Sequence, residues 1–382
     1  MLARATAACV LLVGASAQTV SKMKLLNDGH SMVRVFTHIP WDIMQARLAL
    51  RFRLTHPHPP PPRHHCATTR YTQPAISLGT CCGSKPDVGL PLWLEAGGVG
   101  IDTSIDYHDE TNIGAILKEK KIPRSKVYIT TKVTAGCGKT PDCGADASIA
   151  MDSVHQSLKN LGVEYIDMML LHRPCEQLEQ KCSIAAKLTN CSGPTPLSAT
   201  QALEANNALW AGLMQAKKAG LVKSIGVSNY FAGQLAALKG DVPAINQCEM
   251  SIQVRVDTAD APSHRPFRRR SLTGGAKPAA CLLQGYDNAT ISYCQEKGIV
   301  YESYGAMRGC PFSDADLGTI AAAHKVSPAQ VCLRWALQHG VVIASGTGSN
   351  ATTAAAYSKE NLAIFEFELS SAEMAKLNDK QL

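Results

Sequence analysis

Residues 149–171, IAMDSVHQSLKNLGVEYIDMMLL, contain in one run the two patterns that decide the fold. Over 149–161 the apolar residues recur three and four positions apart, which predicts an amphipathic helix. The short run 166–171 is almost wholly apolar and predicts a strand. A helix-like stretch next to a strand-like run is the repeating unit of α/β folds.

The same alternation continues through most of the chain. Eight strand-like runs lie near 75–78, 100–102, 127–131, 166–171, 224–227, 244–248, 299–304 and 341–344. Helix-like stretches lie between them, for example 112–120, 149–161, 202–219 and 327–338. Eight strands, each followed by a helix, predict a single (β/α)8 TIM barrel of the α/β class. A doubly wound sheet is the alternative, but GTCCG at 79–83 lacks the G-x-G-x-x-G spacing usual after its first strand.

Composition limits the possible partners. The chain has 382 residues, 45% of them hydrophobic, and no run long and apolar enough to span a membrane. Its net charge of +7 would suit a nucleic acid. However, two Arg-rich segments, 33–73 and 254–284, contribute +5 and +4, which leaves −2 for the other 310 residues. We therefore expect no nucleic-acid partner.

The two Arg-rich segments also differ from the rest of the chain in pattern. Neither shows a convincing helix or strand period beyond a short stretch near 43–54. Each begins Val-Arg-Val, which a GT-rich splice donor could encode, and each ends in Gln, which CAG at an acceptor would encode. We hypothesise that both are retained introns, present as disordered insertions in a barrel domain spanning 18–382. The alternative is a pair of genuine long surface loops, which are uncommon inside compact domains.

The N-terminus predicts a location. Residues 1–17 have the form of a secretory signal peptide, with an early cation, an apolar stretch and small residues at 15–17. The alternative is a frayed Ala-rich leader. Fourteen cysteines suit an oxidising compartment, and the CxxC pairs of zinc sites are absent, so we expect no metal. The protein is expected in the secretory pathway or an organelle if the signal is real, and in the cytoplasm otherwise.

Polar and titratable residues stand where the predicted strands end, which is where barrels place their chemistry. They include Asp102, Tyr107, Lys132 and His172. Each alone has an ordinary structural explanation, such as a turn cap or a buried imidazole. Together they could deliver a proton to a carbonyl oxygen, because an ammonium lowers the pKa of a phenol and a carboxylate holds the ammonium in place.

Several motifs, in order along the chain, resemble the aldo-keto reductase family. The resemblance runs from about Leu26 to the C-terminus, interrupted by the two Arg-rich segments. The first segment splits an opening hairpin in which 27–32 should run directly into 74–79. The matching motifs are GIDT at 100–103, ITTK at 129–132, SLKNLG at 157–162, LLHRP at 170–174, GLVKSIGVSNY at 220–230, NQCE at 246–249 and ENL at 360–362.

The resemblance implies reduction of an aldehyde or ketone to an alcohol by hydride transfer from NADPH. Tyr107 would be the proton donor, Lys132 and Asp102 would tune it, and His172 would position the substrate carbonyl. The expected partner is a small carbonyl compound, and the expected state is a monomer. A non-catalytic NADP-binding regulatory subunit with the same barrel, or an inactive product of mis-splicing, are the alternatives.

The resemblance also implies a set of cofactor-binding residues at the strand ends and in one helix. They would hold the nicotinamide carboxamide, stack on its ring, bind phosphate and contact the adenine. In chain order they are Ser228, Asn229, Gln247, Tyr304, Ser345, Thr347, Glu360 and Asn361.

Two departures from the family pattern bear on specificity. Residues 344–348 read ASGTG where the family commonly has Pro-Lys-Ser, so the Lys that grips the 2′-phosphate is missing and NADH is not excluded. Cys81 and Arg173 stand where many relatives have Trp, which predicts a more polar pocket and a hydrophilic carbonyl such as a sugar.

Overall fold

A closed barrel of eight parallel strands forms the centre of the protein. The computed structural model describes residues 23–25, 72–133, 147–175, 199–252 and 288–380. The barrel consists of β3 to β10 in chain order, and β10 pairs with β3 to close it. The described strands are β1 (Met23–Leu25), β2 (Thr72–Pro74), β3 (Ile76–Gly79), β4 (Gly100–Asp102), β5 (Tyr128–Val133), β6 (Ile166–Leu171), β7 (Val222–Ser228), β8 (Ile245–Glu249), β9 (Val300–Tyr304) and β10 (Val342–Ser345).

Helices cover the outside of the barrel. The predicted (β/α)8 architecture is confirmed, and each predicted strand lies within two residues of an observed one. No helix in the described ranges is long and apolar enough to cross a membrane. The described helices are α1 (Pro86–Glu95), α2 (Glu110–Glu119), α3 (Ala147–Leu161), α4 (Ala199–Lys218), α5 (Ala232–Ala237), α6 (Asn288–Lys297), α7 (Ala315–His324), α8 (Pro328–Gln338), α9 (Ala351–Leu362) and α10 (Ser371–Asn378).

The apolar run of β6 shows why the strands are buried on both faces. Met169 and Leu171 belong to the core between barrel and helices, whereas Met168 and Leu170 belong to the cluster inside the barrel. Burying each such side chain contributes about 1.5–3 kcal/mol. The two-residue period of a strand thus separates an outer core from an inner one.

The same period directs polar side chains into the barrel at its carboxyl end. In β5 the apolar Ile129 and Val133 pack outward, while Lys132 is buried with its ammonium inside. In β9 the outward residue is Tyr301, and Glu302 hydrogen bonds inside the barrel. These inward positions near the strand ends form the candidate site described below.

A short hairpin leads into the barrel. β1 pairs antiparallel with β2, with Lys24 opposite Gln73. Thr72 and Gln73, the last two residues of the first Arg-rich segment, therefore belong to this hairpin. The rest of that segment, the second segment at 254–284 and the predicted signal at 1–17 lie outside the described residues.

Adding a methyl group at two helical glycines should change the free energy of unfolding in opposite directions. A Cβ on Gly114 in α2 would lie 2.4 Å from the Leu161 carbonyl oxygen at the end of α3, whereas a Cβ on Gly318 in α7 meets nothing within 4 Å. We expect Gly114→Ala to lower the free energy of unfolding by about 1–3 kcal/mol through overpacking. Gly318→Ala should raise it by up to about 1 kcal/mol through helix propensity. Urea denaturation measures both, and equal effects would contradict the close α2–α3 approach.

Candidate active site

A buried ion pair lies at the carboxyl end of the barrel. The Lys132 ammonium donates to Asp102 Oδ1 at 2.8 Å and to the Thr103 carbonyl at 2.7 Å. The Lys132 side chain is 1% exposed and that of Asp102 is 6% exposed. Burial is the largest single effect and lowers the pKa of Lys132, but the charges of Asp102, Tyr107 and Glu302 and the hydrogen bond to Asp102 together outweigh it, so the pKa is raised. Lys132 is therefore an ammonium throughout the physiological pH range.

Tyr107 is the phenol beside this ammonium. Lys132 Nζ lies 5.1 Å from the centre of the Tyr107 ring. Burial raises the pKa of Tyr107 and Lys132 lowers it, and burial prevails. The sequence pattern predicts a lowered pKa for Tyr107, because it indicates the nearby ammonium but not the burial of the phenol. Lys132 does lower the pKa as predicted. The predicted net shift is wrong, because burial raises the pKa by more.

Buried hydrogen bonds hold the loop that carries Tyr107. The chain leaves β4 through a short 3-10 turn, Ile105–Tyr107, which Ser104 caps by accepting from the Asp106 amide. His108 then adopts a left-handed backbone with φ of 57°. At the start of α2, Glu110 accepts from Thr131 at 2.6 Å, which ties the loop to β5.

His172 follows β6 directly and faces Tyr107. The two ring centres lie 5.7 Å apart with an edge-on angle of 78°. His172 Nδ1 lies 2.9 Å from Asp106 Oδ2 and 3.2 Å from Ser104 Oγ. Burial lowers the pKa of His172, and Asp106 opposes that shift without cancelling it.

The residues expected at the nicotinamide form a second linked group. Asn229 has a left-handed backbone with φ of 65°, and its amide donates to the His172 carbonyl at 3.1 Å. Its Oδ1 accepts from the Tyr304 hydroxyl at 2.7 Å. Ser228 donates to the Gln247 carbonyl at 2.8 Å. Backbone and side-chain bonds thus bring these four residues together beside His172.

The remaining expected cofactor residues lie around β10 and α9. Thr347 is fully buried, and neither its Oγ1 nor the Asn361 Nδ2 has a hydrogen-bond partner within the described part of the chain. Buried donors of this kind require a partner, and a dinucleotide with phosphate and adenine acceptors would supply it. Ser345 ends β10 and is buried. Glu360 differs, because its Oε2 accepts from Ser327 at the start of α8 at 2.6 Å.

Glu302 is a buried acid that sequence reasoning missed. Its carboxyl accepts from Gln247 Nε2 at 2.7 Å and from Gln73 Nε2 at 3.2 Å. Gln247 Nε2 also donates to Asp102 Oδ2 at 2.7 Å, so one amide joins the two acids. Burial first, and the charge of Asp102 second, raise the pKa of Glu302 to about 8. The sequence does contain an indication of Glu302, because a Glu two residues before Tyr304 lies on the same face of strand β9 as Tyr304.

The rim of the pocket is polar and cationic. Arg308 donates to Glu249 at 3.2 Å, and its guanidinium carbon lies 5.8 Å from the centre of the Tyr304 ring. Burial lowers the pKa of Arg173, while Tyr304, Tyr107 and Asp106 raise it. Those electrostatic partners indicate that Arg173 lies close to Tyr304, Tyr107 and Asp106.

Comparison with known proteins identifies the family. The aldo/keto reductase family profile matches residues 90–264 and 312–381. The chain belongs to the aldo/keto reductase family. An aldo-keto reductase of Mycolicibacterium vanbaalenii is 30% identical over 313 residues, which are 80% of this chain and 88% of the relative. The D-galacturonate reductase of Fragaria ananassa is 29% identical, with 82% of this chain and 88% of the relative covered.

Solved structures of this family share the barrel. A crystal structure of a Bombyx mori aldo-keto reductase in complex with NADP has a TM-score of 0.58 and 23% identity, and the match covers 81% of this chain and 90% of that chain. Aldo/keto reductases are NADP-dependent oxidoreductases that reduce carbonyl groups. The expected family, enzyme class, carbonyl reduction and NADP dependence are therefore confirmed by membership of this family, whereas the role of Tyr107 as proton donor stays a prediction.

The ionisation of Glu302 predicts how stability depends on pH. An ordinary Glu has a pKa near 4.5, so between pH 4.5 and 8 the folded protein keeps a proton that the unfolded chain releases. Wild-type stability should therefore fall as pH rises through that window. Glu302→Gln cannot ionise, and the buried Gln73 Oε1, which has no partner in the described ranges, can turn to accept from the new amide.

We expect the melting temperature of Glu302→Gln to fall less between pH 5 and pH 9 than that of the wild type. The exposed Glu366 provides the control, because Glu366→Gln should keep the wild-type pH dependence. Parallel curves for all three proteins would show that Glu302 does not titrate in this range.

Proposed function

We propose that Tyr107 gives the proton to the carbonyl oxygen of the substrate during reduction. The Lys132 ammonium, 5.1 Å from the centre of its ring, supports this role because its charge acts to lower the pKa of Tyr107. As negative charge passes from the carbonyl oxygen to the phenol, the fixed ammonium stabilises it. Asp102 holds the ammonium in place, 2.8 Å from Nζ, and is itself held by Gln247.

Burial also determines the protonation state of Tyr107 in this proposal. Its raised pKa keeps the phenol protonated at neutral pH, so the acid is present when substrate binds. Lys132 then makes the proton transferable at the moment charge develops. Loss of the Tyr107 proton should therefore slow reduction only at alkaline pH.

The proposed cofactor residues orient the hydride donor. NADPH, when bound, supplies the hydride. Asn229, Ser228 and Gln247 would hold the carboxamide, because their hydrogen bonds already fix them in one cluster beside His172. The ring of Tyr304 would stack on the nicotinamide. Ser345 and Thr347 would face the phosphate, and Glu360 and Asn361 the adenine.

The substrate that this pocket fits best is a polar carbonyl compound. Arg173 and the disulfide-bonded Cys81 stand where many relatives have Trp, so the aromatic contacts are reduced and a cation is added. The Fragaria relative reduces D-galacturonate, which is a polar sugar acid. A hydrophilic aldehyde or ketone, such as a sugar, is proposed for this chain as well.

Segments 33–73 and 254–284 are proposed as insertions in the barrel domain 18–382, and 1–17 as a signal peptide. The pairing of β1 with β2 supports the first insertion, because residues 26–71 would otherwise form the connection of a hairpin, and hairpin loops usually have 2–5 residues. The family match omits 265–311, which contains most of the second segment.

Replacing the proton donor tests the proposed reaction. Tyr107→Phe should lower the rate of NADPH-dependent reduction about 10²–10⁴-fold across a panel of aldehydes and ketones, because the general acid is lost. Its NADPH dissociation constant, measured by fluorescence, should stay at the wild-type value. Tyr293→Phe, on the outer helix α6, is the control and should change neither.

Three other outcomes would be informative. Full activity of Tyr107→Phe would rule out its role as the acid. Cofactor binding by the wild type without any reduction would favour a regulatory subunit. Equal rates with NADH and NADPH would show that Ser345 and Thr347 do not select for the 2′-phosphate.

Removing the two segments tests the insertion proposal. A variant lacking 33–73 and 254–284 should give more soluble protein and higher activity than the full chain. It joins Met32 to Pro74 and so loses the Gln73 hydrogen bond to Glu302. A matched variant lacking 32–72 and 254–284 has the same length but keeps Gln73. Equal yield and activity with both segments present would contradict the proposal.

A further inference from the structure

A disulfide joins the loop after β9 to helix α8. Cys310 lies in the loop 305–314, which connects β9 to α7, and Cys332 lies in the second turn of α8. The two cysteines are 6% and 1% exposed. This bridge fixes the second half of the loop to the outer layer of helices.

Arg308 holds the first half of the same loop. Its Nη1 donates to Glu249 Oε1, at the end of β8, at 3.2 Å, and its Nη2 lies 3.7 Å from Cys82 Sγ, in the connection after β3. In the barrel, β9 and β10 lie between β8 and β3. Arg308 therefore spans the ends of these two strands. Its side chain is 43% exposed, so water weakens the ion pair and the covalent bridge is the firmer tether.

The loop 305–314 also has backbone hydrogen bonds of its own. The Arg308 amide donates to the Gly305 carbonyl at 2.8 Å, and the Asp314 amide donates to the Pro311 carbonyl at 2.8 Å. Gly305 begins the loop with a φ of 72°, a conformation that suits glycine. Turns thus determine the shape of the loop, while Arg308 and the bridge determine its position.

The loop and α8 stand at the two ends of the expected cofactor site. The loop begins directly after Tyr304, which is expected at the nicotinamide. The start of α8 holds Glu360, which is expected at the adenine. Ser327 Oγ donates to Glu360 Oε2 at 2.6 Å, and Gln330 Nε2 donates to the Glu360 carbonyl at 3.1 Å. The bridge therefore connects a loop at the nicotinamide end to a helix that holds the adenine end.

We propose that the bridge between Cys310 and Cys332 is a positioning element of the cofactor site, which holds the loop 305–314 in place before the dinucleotide binds. This inference rests on the proposed cofactor roles of Tyr304 and Glu360. Without the bridge, the cofactor must order the loop as it binds, and that ordering weakens binding. Such losses of affinity arise mainly as faster dissociation.

Removing both sulfurs tests the proposal. In the double variant Cys310→Ser with Cys332→Ala, the NADPH dissociation constant, measured by fluorescence, should rise about tenfold, because binding must then order the loop. The dissociation rate, measured by stopped flow, should rise by about the same factor. Gly114→Ala is the control, because it destabilises the barrel through the α2–α3 contact and should keep both wild-type values.

A bridge that serves stability alone predicts a different pattern. The melting temperature would then fall in both the double variant and Gly114→Ala, while both NADPH constants stayed at wild-type values in each. That result would overturn the proposal, and so would free thiols at Cys310 and Cys332 in the folded wild type, detected by mass spectrometry. A wild type that binds NADPH but reduces no carbonyl would count against the proposed function alone, because the binding constants still test the bridge.

Hydrogen exchange of the wild type does not depend on whether the variant folds. The amides of 305–314 should be protected in the free protein and gain little further protection from NADPH. In the double variant they should exchange rapidly when free and become protected when NADPH binds. Rapid exchange in the free wild type, with strong protection by NADPH, would show that the bridge does not position the loop.

Discussion

The ion pair between Lys132 and Asp102 is the constraint on which the rest of the site depends. Two buried charges are tolerated only because each satisfies the other, and removing one partner of such a pair typically costs about 3–5 kcal/mol. The barrel meets that condition by placing both side chains at inward positions of adjacent parallel strands, β4 and β5. The Thr103 carbonyl completes the ammonium's hydrogen bonds. Tyr107 then meets a cation whose position is already determined.

The same pair connects proton chemistry to cofactor binding. Asp102 uses one oxygen for Lys132 and the other for Gln247. Gln247 in turn bonds Glu302, which bonds Gln73 in the entry hairpin. A single polar chain therefore runs through the barrel between its floor and the proposed nicotinamide site. A protonated Glu302 adds no charge to these hydrogen-bonded side chains, so the charge of Asp102 balances that of Lys132.

The alternation of eight apolar strand-like runs with helix-like stretches was enough to predict the barrel, and the strand ends pointed to Lys132 and His172. Their chemistry was only partly predictable. The raised pKa of Tyr107 depends on burial, which a residue pattern does not measure. The Asp106–His172 contact depends on the path of a three-residue turn between sites 66 positions apart. Gln73 was assigned to an insertion on composition, whereas its neighbours in space place it in the barrel floor.

The composition of the first Arg-rich segment and its place in the fold do not share one boundary. Its last two residues, Thr72 and Gln73, pair with β1 in the hairpin that leads into β3. Gln73 also donates to the buried Glu302. A deletion that follows the composition alone therefore removes part of the barrel's own hydrogen bonding, whereas a deletion of 254–284, between β8 and α6 in sequence, removes none of the described residues.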